Sequence, residues 1–249
     1  MYRTLWQEKL GLELCFSMTQ EGNMSFRYGK KEEVLVNRRN FLEDIGLGFD
    51  DCVAMQTGNR GSSSIKSVNR RSLGKGMRDS ESAIQADCLV TNESGVFLWL
   101  VSADCLPMIF FSRKPFFLAL AHISRQNSGS RFSSKIVKFL ENSGVEPRKL
   151  VVYFGPSIKK ESYLFDRQNL SQAEKPDWQP FIEETKTRLL SVDLVGFNIS
   201  QLKSAGALEK NIFVDDEDTA ISRMFFSHYR SRREKLPEAR FATVAGFRK

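Results

Sequence analysis

Ser102-Ala103-Asp104-Cys105-Leu106-Pro107 is the stretch that decides the fold. Upstream of it, Val96 to Val101 reads Val-Phe-Leu-Trp-Leu-Val, an apolar run of strand length. Pro107 then restricts the backbone, and a second apolar run follows from Met108 to Phe111. A third, Phe116 to Ala121, ends on His122. Cys105 and His122 therefore each stand at the edge of an apolar segment. Brought together, a thiol and an imidazole make a nucleophile–base pair or two thirds of a metal site.

Working outward, Asp87 to Thr91 reads as a further strand, joined to Val96–Ala103 by the turn Asn92-Glu93-Ser94-Gly95. Leu150 to Phe154, Ile212 to Val214 and Phe241 to Ala245 complete the expected strands. Helical spacing predicts helices over Asn37–Leu47, Ser130–Asn142 and Ile199–Ala205. Pro180 to Leu190 is also expected to be helical, with proline near its first turn. Strands dominate the centre with helices interspersed, which makes the class α+β: packed mixed β-sheets flanked by helices. No proline-rich or low-complexity linker divides the 249 residues, so a single domain over 1–249 is expected.

No apolar run reaches the roughly 20 residues of a membrane helix. Arg3, Glu8, Lys9 and Glu13 break up the first residues, so no secretory signal is read there. The four cysteines, Cys15, Cys52, Cys88 and Cys105, lack metal-ribbon spacing and fit reduced thiols. A cytoplasmic protein is expected. The net charge is +7, and residues 57–80 concentrate it. Arg60, Lys66, Arg70, Arg71, Lys75 and Arg78 face the single acid Asp79, among glycines and serines. A mobile basic loop that gathers anionic ligands is the expectation. The stretch has no aromatic residue for base stacking, which argues against nucleic acid.

Several segments, taken in order, resemble one family. Ala86-Asp87-Cys88-Leu89-Val90-Thr91 is similar to its Ala-Asp-Ala-Leu-Val-Thr, and Ala103-Asp104-Cys105-Leu106-Pro107 matches its most distinctive motif without change. Gly155-Pro156-Ser157-Ile158 with Tyr163, Asn37-Arg38-Arg39, Asp193-Leu194 with Asn198 and Gln201-Leu202, and Phe225-Phe226-Ser227-His228 with Arg230 follow the same order. From about Ser25 to Ala245 the chain resembles the YfiH, or laccase-domain, family (multicopper polyphenol oxidase-like).

The resemblance implies a layered α/β/β/α fold and an enzyme that cleaves purine nucleosides with phosphate or deaminates adenosine. It also implies zinc, or copper, held by His, Cys and His. Cys105 and His122 match two of these ligands and are the catalytic and metal-binding candidates. Gly58 stands where the first His is expected, in Gln56-Thr57-Gly58-Asn59. His228, Asn59, Asp104 and Asp87 are the groups that can substitute for it. Ile123 to Asn127 keep none of the family's Ala-Gly-Trp-Arg-Gly after the second His. By resemblance Arg27, Arg230 and Arg240 are the substrate-binding candidates, and Asp104 orients the backbone or the imidazole.

Two other chemistries remain open. The family's fold is similar to that of toxin deamidases which pair a Cys with a following His, so a metal-independent thiol hydrolase is coherent with Cys105 and His122. A catalytically inactive member serving as a binding module is the other.

Overall fold

A computed structural model describes residues 1–3, 11–58, 63–172 and 174–248. Strands β1 (Tyr2–Arg3) and β2 (Leu12–Phe16) precede helix α1 (Lys31–Asp44). Then come β3 (Cys52–Gln56), β4 (Ile65–Ser67), β5 (Ile84–Gln85), β6 (Cys88–Thr91), β7 (Phe97–Ser102), β8 (Leu106–Arg113) and β9 (Phe116–Ile123). Helices α2 (Arg125–Gly129) and α3 (Phe132–Asn142) lead to β10 (Val151–Phe154), β11 (Leu164–Phe165), β12 (Ile182–Glu184) and β13 (Leu190–Val192). Helix α4 (Leu194–Ser204), β14 (Ile212–Val214), helix α5 (His228–Glu234) and β15 (Phe241–Phe247) close the order. No helix among the described residues is long and apolar enough to cross a membrane.

The strands form two six-stranded sheets, in the orders β1-β2-β15-β7-β3-β5 and β14-β10-β8-β9-β6-β4, and a small third sheet, β11-β13-β12. Their side chains sort with period two, as a strand buried on both faces requires. In β8, Ile109 joins Leu98 and Leu100 of β7 in the core between the large sheets. Its neighbours Met108 and Phe110 pack instead against Phe132 and Ile136 of α3 and Phe197 of α4. On the far side, Trp99 of β7 meets Phe41 and Leu42 of α1. The four layers are thus α1, the first sheet, the second sheet, and α3 with α4, which is the expected α/β/β/α arrangement.

Three expectations need correction. Pro180 to Leu190 is not a helix: a 3-10 stretch ends at Phe181, and β12 and β13 pair antiparallel with Glu184 opposite Leu190. The run between them is polar and lacks an apolar stripe. The Thr185 N–H, bonded to the Leu189 carbonyl at 2.8 Å, closes a hairpin instead. Helix α1 covers Lys31–Asp44 rather than Asn37–Leu47, and stops where Gly46 takes a left-handed φ of 67°.

The basic stretch 57–80 is not an irregular loop over its described part. β4 pairs parallel with β6, and the Ala54 N–H bonds the Lys75 carbonyl at 2.9 Å. Arg78 holds both oxygens of Asp50, at 2.8 and 2.9 Å. Three residues of strand are too short for periodicity to reveal, and these pairings are long-range. Arg60 lies outside the described residues.

Candidate active site

The segment before Cys105 is fastened from three sides. Asp104 sits at φ 74°, in the left-handed region that Asp tolerates better than most residues. Its Oδ1 accepts the Thr219 hydroxyl at 2.7 Å, and its Oδ2 accepts the Tyr229 N–H at 2.6 Å. Tyr229 lies in the first turn of α5, where an anion is favoured. The Ile158 N–H bonds the Asp104 carbonyl at 3.1 Å, and the Gly155 N–H bonds the Pro107 carbonyl at 2.9 Å. Gly155-Pro156-Ser157-Ile158 is therefore a brace for the Cys105 loop. Asp104 orients backbone, one of the two roles expected of it.

Strand register assembles the chemistry. Pro107 of β8 pairs with His122 of β9, and the His122 N–H bonds the Asp87 carbonyl at 2.8 Å, just ahead of β6. Pro107 and His122 thus share the face of Ile109 and Leu120, turned towards the other large sheet. His122 Nδ1 lies 3.9 Å from Asp87 Oδ1, an ion-pair distance. Nδ1 itself is buried without a hydrogen bond among the described residues. Burial pulls the His122 imidazolium down, but the charge of Cys105 first, and then Asp87, outweigh it and push the pKa up from 6.5 to about 9. Cys105 is half-buried, whereas the other three cysteines are buried.

Cys105 opens on a cavity of about 330 Å³. Arg125 and Arg232 give this cavity positive charge, and Tyr163, Phe165 and Tyr229 give it aromatic walls. The Arg125 guanidinium lies 4.8 Å from the Phe165 ring centroid and donates to Gln172. Burial, then the charge of Cys105, push the Tyr163 hydroxyl up to about 12, so it stays a donor. Sequence reasoning missed Arg125, Phe165 and Arg232. A signal was available in Arg125, the new cation three residues after His122 within the segment that departs from the family pattern.

The three arginines expected to bind substrate do not meet at this cavity. Arg230 is buried and spends its guanidinium on the carbonyls of Thr219, Ser222 and Phe225. It is a strut for the turn before α5 rather than an anion contact. Arg240 bonds Glu238 at 2.8 Å and the Tyr28 hydroxyl at 3.0 Å. Arg27 also lies over Tyr28, 5.7 Å from the ring centroid, and lines a different cavity.

The donor set does not fit the zinc or copper implied by resemblance. A catalytic zinc takes three protein ligands. Gly58 supplies no side chain, so Cys105 and His122 are two donors where a catalytic zinc takes three. His228 lines the Cys105 cavity, but its Nδ1 is 2.6 Å from Glu238 Oε1. Asp104 has both oxygens occupied, and Asn59 lies outside the described residues. No group of three His, Cys, Asp or Glu among the described residues is placed to hold an ion.

Fold and site together define a layered two-sheet protein with a thiol, an imidazole and a carboxylate on adjacent strand ends. The chain belongs to the family described as multi-copper polyphenol oxidoreductase laccase, whose sequence model matches residues 15–248. It is 27% identical over 221 residues to purine nucleoside phosphorylase YlmD of Geobacillus stearothermophilus, covering 84% of this chain and 78% of that protein. To YlmD of Bacillus subtilis it is 28% identical over 173 residues, 68% of this chain and 62% of that one. The crystal structure of the Geobacillus YlmD superposes with a TM-score of 0.87 at 24% identity, covering 96% and 93% of the two chains. That of Bacillus licheniformis YfiH gives 0.85 at 19%, covering 98% and 94%.

Proposed function

We propose that this chain is a cytoplasmic enzyme that cleaves purine nucleosides with phosphate, at a site that works through its own side chains. The observation that carries the reading is the cavity on which Cys105 opens, combining two arginines with three aromatic rings, beside a His122 that interacts with Cys105 and lies 3.9 Å from Asp87. The rings give a purine a stacking surface, and Arg125 and Arg232 give phosphate its charge partners. The names of the relatives support the same substrate class.

In this reading the C1′–N9 bond breaks and its electron pair leaves with the base. A phosphate oxygen bonds to C1′, and the Cys105–His122 pair gives the departing base a proton. Phosphate returns that proton, so the products are ribose 1-phosphate and free purine. The test is incubation of the purified chain with inosine, and separately with adenosine, in phosphate buffer. Phosphate-dependent release of hypoxanthine or adenine, lost in Cys105→Ala and His122→Ala, is expected. No base from either nucleoside at saturating phosphate would reject the proposal. Ammonia from adenosine would assign deamination instead.

A second reading rests on Asp87. A carboxylate behind the imidazole completes the order of nucleophile, base and orienting acid used by thiol hydrolases. It requires Cys105 to be alkylated at neutral pH much faster than the buried Cys52, and His122→Ala to slow that reaction. Equal rates would remove it.

A further inference from the structure

Between α1 and the first sheet lies a second cavity, of about 150 Å³. It is on the outer face of that sheet: Trp99, which lines it, packs with α1, whereas Leu98 and Leu100 face the inter-sheet core. It shares no lining residue with the Cys105 cavity. Arg38 reaches into it from α1 with only 4% of its surface exposed. Nε donates to the Met24 carbonyl at 2.8 Å, and Nη1 to the carbonyls of Gly76 and Met77 at 2.8 and 3.1 Å. Among the described residues Nη2 has no hydrogen-bond partner, and no carboxylate acts on the guanidinium.

That is an unusual place for a charge. A buried cation is normally met by an anion, because carbonyl dipoles leave its full charge uncompensated. Burial disfavours the charged form of Arg38, yet a guanidinium does not give up its proton in ordinary conditions. The guanidinium carbon lies 4.1 Å from the Phe26 ring centroid and 5.2 Å from that of Trp99, which fixes the plane of its fork. A second arginine, Arg27, lines the same cavity, exposed and without an ion-pair partner among the described residues. Ser25, Thr57 and Ser80 line the same space with hydroxyls.

We propose that the Arg38 cavity is a second binding site, for an oxyanion: free phosphate, or the phosphate end of a nucleotide. Arg38 Nη2 and the Arg27 guanidinium hold the oxygens, and the serine and threonine hydroxyls complete the shell. The cavity is of a size for such a group and not for a whole nucleoside, whose place is the larger Cys105 cavity. The proposal goes beyond nucleoside cleavage and does not depend on turnover.

The full chain is titrated with sodium phosphate, then with adenosine 5′-monophosphate, by calorimetry and by thermal unfolding against sodium chloride of equal ionic strength. All titrations use the Arg232→Ala background, which weakens phosphate capture at the Cys105 cavity. Tm is expected to rise with at least one of the two anions. Its affinity is expected to fall about ten-fold or more in Arg38→Lys, which keeps the charge but loses the fork, and in Arg27→Ala. Response to phosphate assigns the free ion, and response to the nucleotide alone assigns the ester. Arg27 is exposed, so its variant decides the matter if Arg38→Lys does not fold. No response to either anion beyond that to chloride would overturn the proposal, as would undiminished affinity in Arg27→Ala. Failure of this titration leaves base release from inosine unaffected, so the two proposals fall separately.

Discussion

The carboxylate of Asp104 accepts the backbone N–H of Tyr229 at 2.6 Å, tying the loop before Cys105 to the first turn of α5 across 125 positions of sequence. With Thr219 on its other oxygen, Asp104 fixes where the thiol opens. Asp104→Ala should lower stability by about 1.5–3 kcal/mol, the range for a hydrogen bond to a charged group. Asp104→Asn should cost less, because it keeps one acceptor and tolerates the left-handed backbone. Urea unfolding orders the two variants. Equal stability of Asp104→Ala and the unsubstituted chain would show that the ties are idle.

The electrostatics of His122 predict a particular pH dependence. Its folded pKa, about 9, lies above the ordinary 6.5, so the folded state binds the proton more tightly than the unfolded state does. This stabilisation is fully present below pH 6.5 and is lost as pH rises through about 9. Unfolding free energy should therefore decline across that interval, and the decline should flatten in His122→Phe. The chain has only two histidines, so NMR of the His228→Gln variant follows His122 alone. Cys105→Ala should move that titration down, since Cys105 is the strongest of the influences raising it. An unchanged midpoint would contradict the arrangement.

Gly58 carries the metal question. The purified chain should hold far less than one zinc per molecule, and a chelator should leave its Tm unchanged. Gly58→His restores the residue type that the resemblance places there and should raise zinc uptake, provided the imidazole reaches Cys105 and His122. Stoichiometric zinc in the unsubstituted chain, lost in Cys105→Ser, would show that another donor completes the set.

Much of this was legible in the sequence, and the boundary of legibility is physical. The strands of the second sheet are continuous apolar runs because both their faces are covered, and such runs announce themselves. Cys105 and His122 were found because each ends one of these runs. The strand β2 is harder to see: Glu13 interrupts it, yet that carboxylate is buried and paired with Arg248 at 3.1 Å. Strands of two or three residues such as β4 and β5 exist only by pairing with distant neighbours, which periodicity does not report. The same holds for arginines. Arg230 and Arg38 look like surface cations in sequence, and only the fold shows one spent on carbonyls and the other facing a cavity. Asp87 became part of the site through register, not through spacing.

Gly155 links the core to the catalytic loop, and its replacement tests that link. A Cβ on Gly155 would stand 2.8 Å from Cε1 of Phe16, a ring buried in the inter-sheet core, and 3.4 Å from the Pro107 carbonyl. The ring is held on several sides, including by Tyr153 at a centroid distance of 6.5 Å, so it has little room to yield. Gly155→Ala should therefore destabilise the chain by about 1–3 kcal/mol, the usual cost of overpacking. The same shift should stretch the Gly155–Pro107 hydrogen bond and loosen the brace on the Cys105 loop. Activity, or Cys105 alkylation, should then change more than in a core variant of equal stability loss elsewhere, such as Leu140→Ala under α3. If the two variants match in both stability and Cys105 reactivity, the brace does not position the thiol.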